Sequence, residues 1–337
     1  MLTDPTPLYR LRDRAYAADL LIVAVAQLDL FSWLHRCGGA DANRICREWG
    51  LAARPVDVLL TYLVALGLLE RVGDTVVPTL LAAEHLVEGS PYDLRPYYSS
   101  LQERPGCAEL RAVLQTGEPA AWASAAGGHE WATRLADPGF ARAMTAAMDA
   151  RGRFLGPRLA EAIADLPVRR VLDLGGGSGI YLCALADRLP GVRGAVFERP
   201  PIDAAARTLL VERGYTDRIE VVTGDIFTDP FPDGHDLHLV SHVLHDWHEL
   251  RVRRVLAASF ATLAPGGWLI DHDVHINADK TGPLPAAEYS VFLMHATPGK
   301  CWSVAELTEM LHGCGFVAVS CRATAGDRSA VLARKPG

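Results

Sequence analysis

Histidines and acids crowd together late in this 337-residue chain. His235, His238, His242, His245, His248, His272, His275 and His295 all lie between residues 235 and 295. The run Leu237-His-Leu-Val-Ser241 reads as a strand, so Ser241-His-Val-Leu-His-Asp-Trp-His248 places His245 just past a strand end. A histidine has an ordinary pKa of about 6.5 and a phenol one of about 10. An imidazole in contact with a phenol can therefore take its proton as the oxygen attacks an electrophile. It then needs an acid on its other nitrogen to fix the tautomer. The next strand, Trp268-Leu-Ile-Asp-His-Asp-Val274, offers Asp271, Asp273 and His275 on one face and His272 on the other. The crowding also raises a metal site. However, the HxxH spacing runs across a strand–loop junction and does not by itself converge ligands, and no Cys or carboxylate completes a set, so no metal is expected. His295, beside Met294, reads as a pocket-lining residue.

The second chemistry-bearing stretch is Val171-Leu-Asp-Leu-Gly-Gly-Gly-Ser-Gly179, a strand running into a glycine turn and then a helix, Tyr181 to Leu189. Glycine tolerates positive φ and leaves no Cβ between the backbone and a ligand. A dinucleotide fingerprint would place its third glycine where Ile180 stands. Asp173 precedes Gly175 and Gly177, where a pyrophosphate would meet a like charge. A ligand carrying an ammonium and a sulfonium suits that acid, which points to S-adenosylmethionine (SAM). Glu198, closing the following strand, can hold both hydroxyls of a ribose. Gly224-Asp225 closes the third strand, where Asp225 can accept from an adenine amino group and Ile226 and Phe227 can sandwich the ring.

These motifs need a scaffold of strands ending on one edge. From Val168 onward, strand and helix alternate, and two last strands (Phe316–Arg322 and Ser329–Arg334) turn at Ala325-Gly326-Asp327. The pattern predicts an α/β, Rossmann-like, doubly wound parallel sheet with an antiparallel final strand. Ligands bind beyond the carboxyl ends of such strands. Upstream, residues 13–36 carry apolar positions nearly all round one helix, a pattern that often means burial against a second subunit. Asp41–Trp49, a Gly50 stop, Val56–Leu66 and a hairpin turning at Gly73-Asp74 give a winged-helix order. Its second helix is nearly bare of Arg, Lys, Asn and Gln, so a packing and dimerisation module is expected rather than a reader of DNA. An Ala/Gly-rich stretch spans 120–128, and Phe140 to Ile163 forms one long helix. On that helix Met144 and Met148 are candidates either for core packing or for a flat-substrate pocket. The expected division is 1–95 winged-helix dimerisation domain, 96–165 helical linker contributing to the substrate pocket, and 166–337 catalytic domain.

Composition narrows the class. Half the residues are apolar, 22% are charged and the net charge is −7, with no basic run to suggest nucleic-acid binding. The apolar stretch Leu20–Ala26 is too short to span a bilayer, and the first residues lack a signal-peptide pattern. Seven cysteines, never in CxxC spacing, argue for reduced thiols in a cytoplasmic protein.

Val171–Gly179, Gly224-Asp-Ile-Phe227, Leu244-His-Asp-Trp247 and the winged-helix N-terminus together resemble the plant-type, caffeic-acid-like small-molecule O-methyltransferases in their bacterial natural-product branch. The resemblance covers nearly the whole chain. It implies a SAM-dependent Rossmann-like domain and a homodimer interlocked through N-terminal helices. It makes His245 the general base, puts Asp273 at the orienting acid, and puts Gly175, Glu198, Asp225 and Ser241 at cofactor positions. Met144 matches a methionine that packs on the aromatic acceptor. One departure is Pro298-Gly-Lys-Cys-Trp-Ser303, with Cys301 where the family has a second acid beside the base. The implied function is methyl transfer to a hydroxyl, read as phenolic, of a small aromatic secondary metabolite. C-methylation of an aromatic or α-keto substrate and a non-enzymatic SAM-binding regulatory dimer are the rival readings.

Overall fold

The computed structural model describes residues 3–120 and 136–337. The described residues form two compact units: an N-terminal one that takes back the excursion Ile276–Ser303, and a second that holds the rest, from 136 to His275 and from Val304 onward. This differs from the expected division at both boundaries. The long helix Pro138–Ala162 belongs with the catalytic unit, and Ile276–Ser303 leaves it. The Ala/Gly-rich stretch lies, from residue 121, outside the described residues.

In the N-terminal unit the apolar run of residues 13–36 is two helices rather than one. Ala17–Ile22 continues as a π-helical turn to Gln27, and Leu30–Cys37 follows at a bend of 54°. The break falls at Asp29, whose φ of +47° is left-handed. Aspartate tolerates that region better than most residues, and Arg95 Nη1 donates to its carboxylate at 2.9 Å. Leu20, Val23, Leu30, Phe31 and Leu34 are all buried within this one chain. Each such side chain contributes about 1.5–3 kcal/mol, so the apolarity of the run is accounted for without a second subunit. No single helix among the described residues is long and apolar enough to cross a membrane.

The expected order of helix, turn, helix and hairpin is present. Asp41 caps Ala42–Trp49 by accepting from Arg44 N–H at 2.7 Å, and Gly50 ends that helix at φ +63°. Ala53–Ala65 follows, then β1 (Leu69–Val72) and β2 (Thr75–Pro78). The charged groups of Ala53–Ala65 turn inward onto the excursion. Arg54 donates to the carbonyls of Met294, Thr297, Gly299 and Gly117, between 2.7 and 3.3 Å. Burial lowers its pKa to about 10. Asp57 accepts from Lys280 and Lys300 at 2.7 and 2.5 Å. Those contacts tie Leu284–Ala296 to this unit.

The catalytic unit carries seven further strands. They are β3 (Arg170–Leu174), β4 (Arg193–Glu198), β5 (Ile219–Thr223), β6 (Leu237–Ser241), β7 (Trp268–Asp273), β8 (Val317–Ala323) and β9 (Ser329–Arg334). They form one sheet in the order β5-β4-β3-β6-β7-β9-β8. The first five run parallel, and β9 pairs antiparallel with both β7 and β8. The direction of winding reverses between β3 and β6, and a crevice opens at such a switch point beyond the strand ends.

Candidate active site

The glycine turn leaves β3 at this switch point. Gly175, Gly177 and Gly179 have φ of +67°, +55° and +73°. A Cβ on Gly176 would lie 2.5 Å from the Asp173 carboxyl carbon, which explains the run of three glycines. Gly177 faces open space, with no atom within 4 Å of where its Cβ would stand. The close packing of the next helix is solved differently from the dinucleotide fingerprint. Ile180 takes the third-glycine position, and the partner helix supplies the room: Cβ atoms on Gly152 and Gly156 would lie 2.2 Å from Ile180 Cγ2 and 3.0 Å from Ala184 Cβ.

The acids gathered at this edge fit a cationic nucleoside. Asp173 is fully buried, and neither carboxylate oxygen has a hydrogen-bond partner among the described residues. Burial, then the nearby Glu198, pushes its pKa up to about 8. A buried unpartnered carboxylate is costly, and an incoming ammonium group would relieve that cost. Glu198 accepts from Gly177 N–H at 3.1 Å and from Arg199 N–H at 2.9 Å, which ties the end of β4 to the glycine turn. Burial raises its pKa against those donors. A carboxylate has about four acceptor positions, so capacity remains for ribose hydroxyls. At β5, Asp225 accepts from Phe227 N–H at 2.8 Å, and Phe227 meets Trp247 edge-on at 4.7 Å under Arg251. Gly224 is required there because a Cβ would lie 2.3 Å from the Phe197 ring. Ser241, ending β6, shares a hydrogen bond of 3.0 Å with His272 Nδ1.

The loop after β6 carries His245 against the same turn: Val243 Cγ2 lies 3.1 Å from where a Gly175 Cβ would stand. His245 is buried, and its Nδ1–H donates to Asp273 Oδ1 at 2.7 Å. Its Nε2 is 3.5 Å from Asp246 Oδ1. Burial favours the neutral imidazole, but Asp273 and Asp246 outweigh it and the His245 pKa is raised. Burial likewise opposes a charge on Asp273, yet His245 and His242 hold its pKa well below the usual range. Burial raises Asp246 to about 6, opposed by His245.

The other histidines sort by place. His238 is a core residue bonded to Ser259 at 2.8 Å, and burial lowers its pKa to about 3. His275 sits between Asp271 (3.0 Å) and Ser329 (2.7 Å). The expectation that HxxH spacing brings no ligands together is corrected. His242, His245 and Asp273 present one atom each within 4.8 Å of one another, because the loop after β6 folds back over the end of β7. At 2.7 Å, the His245–Asp273 separation is that of a hydrogen bond. His242 in this cluster and Asp246 beside His245 had no role assigned from sequence. The sign of His242 was its spacing from His245 just after a strand.

The four acceptor-side candidates divide between the units. Met144 and Met148 are half-buried, one turn apart on Pro138–Ala162. Met294 and His295 are buried in the N-terminal unit. His295 Nε2 pairs with Glu109 at 2.7 Å and its ring stacks on Tyr16 at 3.8 Å. Cys301 is buried there too, its N–H donating to Ser290.

Residues 107–317 match the O-methyltransferase domain family. The chain belongs to that family. It is 32% identical over 304 residues to the 3-hydroxy-5-methyl-1-naphthoate 3-O-methyltransferase of Streptomyces sahachiroi, covering 87% of this chain and 84% of that one. It is 31% identical to the tetracenomycin polyketide synthesis 8-O-methyltransferase of Streptomyces glaucescens, covering 98% and 97%. Among solved structures, an O-methyltransferase family 2 protein from Planctomyces limnophilus in complex with apigenin superimposes with a TM-score of 0.87. It shares 32% identity, with 99% of this chain and 97% of that one covered. This O-methyltransferase uses SAM as methyl donor. Its plant-type, bacterial natural-product ancestry and Rossmann-like sheet are as the motifs implied.

Proposed function

We propose that His245 is the general base of the O-methyltransferase and that Asp273 orients it. The observation that carries this is the 2.7 Å bond from His245 Nδ1–H to Asp273 Oδ1, on a loop pressed against the glycine turn. SAM supplies an electrophilic methyl carbon on a positive sulfur. As the acceptor oxygen bonds to that carbon and the carbon–sulfur pair returns to sulfur, the acceptor proton passes to His245 Nε2. Asp273 stabilises the resulting imidazolium, which releases the proton to water. Raising the His245 pKa narrows its gap to a phenol and strengthens the base.

Asp173, Gly175, Gly177, Glu198, Asp225, Ile226, Phe227 and Ser241 are proposed to hold the cofactor. Asp173 would meet the ammonium, Glu198 the ribose and Asp225 to Phe227 the adenine. Met144, Met148, Met294 and His295 are proposed to contact the acceptor. A fused bicyclic or polycyclic phenol suits the named relatives' substrates, a naphthoate and a tetracenomycin intermediate. Homodimerisation through the N-terminal helices is supported by Leu8 and Leu11, 67% and 57% exposed on Thr6–Asp13, and by the exposed Leu80 and Leu81. A cytoplasmic setting is supported by seven cysteines that are all free.

The test is turnover of hydroxynaphthoates and polycyclic phenols with 13C-methyl SAM, read by NMR of the product. A methyl carbon bonded to oxygen is expected; one bonded to ring carbon establishes the C-methylating alternative. Light scattering reports the dimer.

A further inference from the structure

His242 stands apart from its neighbours in its backbone. Its φ of +55° is left-handed, a region that a non-glycine residue keeps where the surroundings enforce it. Its N–H donates to the His272 carbonyl at 3.0 Å. Its ring is enclosed by His272, His245 and Tyr181, with centroids at 5.4, 5.7 and 6.1 Å. That conformation turns His242 Nδ1 to within 3.2 Å of Asp273 Oδ1, the same oxygen that takes His245 Nδ1–H and Val274 N–H at 2.7 Å each. The approach is off-line, so it acts as a dipole on the carboxylate rather than as a full hydrogen bond. Neither Asp273 Oδ2 nor His242 Nε2 has a hydrogen-bond partner among the described residues.

We propose that His242 is a positioning residue of the methyl transfer, which shares Asp273 with His245 and, through its Nδ1–H, fixes that carboxylate and limits its pull on the base. This rests on His245 being the base. Burial, with Arg151 adding to it, holds the His242 pKa well below the usual value, so the ring is neutral beside an ionised acid. An ionised acid accepts only, which puts the ring proton on Nδ1. Each donor on a carboxylate makes it less basic. With His242 in place the imidazolium of His245 is held less tightly, and the base returns to its neutral form at lower pH.

The other groups around the pair act in known directions. Asp246, on the same loop, pulls with Asp273; Arg151, from Pro138–Ala162, opposes both. From β7, burial keeps His272 near a pKa of 3, and Asp271 is matched to His275. Tyr181 faces His242 from Ile180–Arg188, with Arg328 acting on Tyr181 and His272.

The experiment compares His242→Gly, which fits the left-handed backbone without the ring, with His242→Asn, which tolerates that backbone and keeps an N–H near the Nδ1 position. The kcat–pH profile of His242→Gly is expected to move its acidic limb upward by about half a unit, less than a full charge-assisted hydrogen bond would give. The SAM Kd stays unchanged, and His242→Asn keeps the wild-type limb. A limb unmoved in both variants, with kcat lowered evenly at all pH, overturns the proposal and leaves a structural residue. His245→Ala run alongside separates the two readings, since retained activity there defeats the base assignment itself. A further measurement needs no variant. In 15N-histidine protein, His242 is expected as the neutral Nδ1–H tautomer from pH 6 to 9, and the Nε2–H tautomer overturns the idea.

Discussion

Strand β7 carries two acids two residues apart, Asp271 and Asp273, and each pairs with a histidine. The pairs differ in what meets the histidine's second nitrogen. His275 is closed at both ends: Nε2 donates to Asp271 and Nδ1 accepts from Ser329 Oγ. His245 commits Nδ1 to Asp273, and its Nε2 faces a second carboxylate, Asp246 Oδ1, at 3.5 Å. The acids respond accordingly. Asp271 is raised chiefly by burial, whereas Asp273, against the same burial, is held low by two histidines. On one strand, the acid paired with the histidine that Ser329 closes is raised, and the acid met by two histidines is held low.

The sharpest way to break this comparison is to remove each histidine in turn. His245→Ala is expected to lower kcat by about 10²- to 10⁴-fold, the range of general base catalysis, with SAM affinity by calorimetry near wild type. His275→Ala should leave kcat within a few-fold. If His275→Ala proves the more damaging to kcat, the two roles are exchanged.

Asp173 is a third buried acid, one without a histidine. Asp173→Asn is expected to weaken SAM binding by about 10- to 100-fold, the worth of a charge-assisted contact. It should also flatten the pH dependence of ligand-free stability. The sign follows from the raised pKa: the carboxyl is neutral and harmless at low pH, and stability is lost as pH rises from the unfolded value of 3.8 towards about 8. Thermal melts across that window, with and without SAM, would reveal an unchanged slope if the assignment is wrong.

Asp273→Asn sharpens the comparison through pH. Losing the charge that raises His245 should move the acidic limb of kcat downward while the plateau rate falls. An unmoved limb would mean that Asp246 governs the base. The smallest effects on turnover belong to the structural pair. His275→Ala strands Asp271 and should cost about 1–3 kcal/mol in denaturant unfolding, against a kcat that barely moves.

Much of this was legible beforehand. The glycine turn, the acids closing β3 and β4, and His245 past β6 follow from local pattern, because strand ends and tight turns depend on residues a few positions apart. The requirement for Gly176 and Gly224 was not legible, since it comes from Asp173 and Phe197 lying within 3 Å of a missing Cβ. Nor was the division of the chain. Arg54 and Asp57, on a helix that begins at Ala53 rather than at Val56 and was read as nearly bare of Arg, Lys, Asn and Gln, hold carbonyls and lysines more than two hundred positions away. The apolar N-terminal run suggested a partner subunit, and its burial is met inside one chain because Asp29 bends it back on itself.

The sequence by itself determined the cofactor and singled out His245 as the proposed base, because the glycine turn and the Leu-His-Asp-Trp loop carry their chemistry in contiguous residues. Only the tertiary structure decided which acid serves which histidine. Asp271 and Asp273 are equivalent in alternation, and they are told apart by Ser329 from β9 and by the loop carrying His242 and His245, brought over β7 by the order of strands in the sheet.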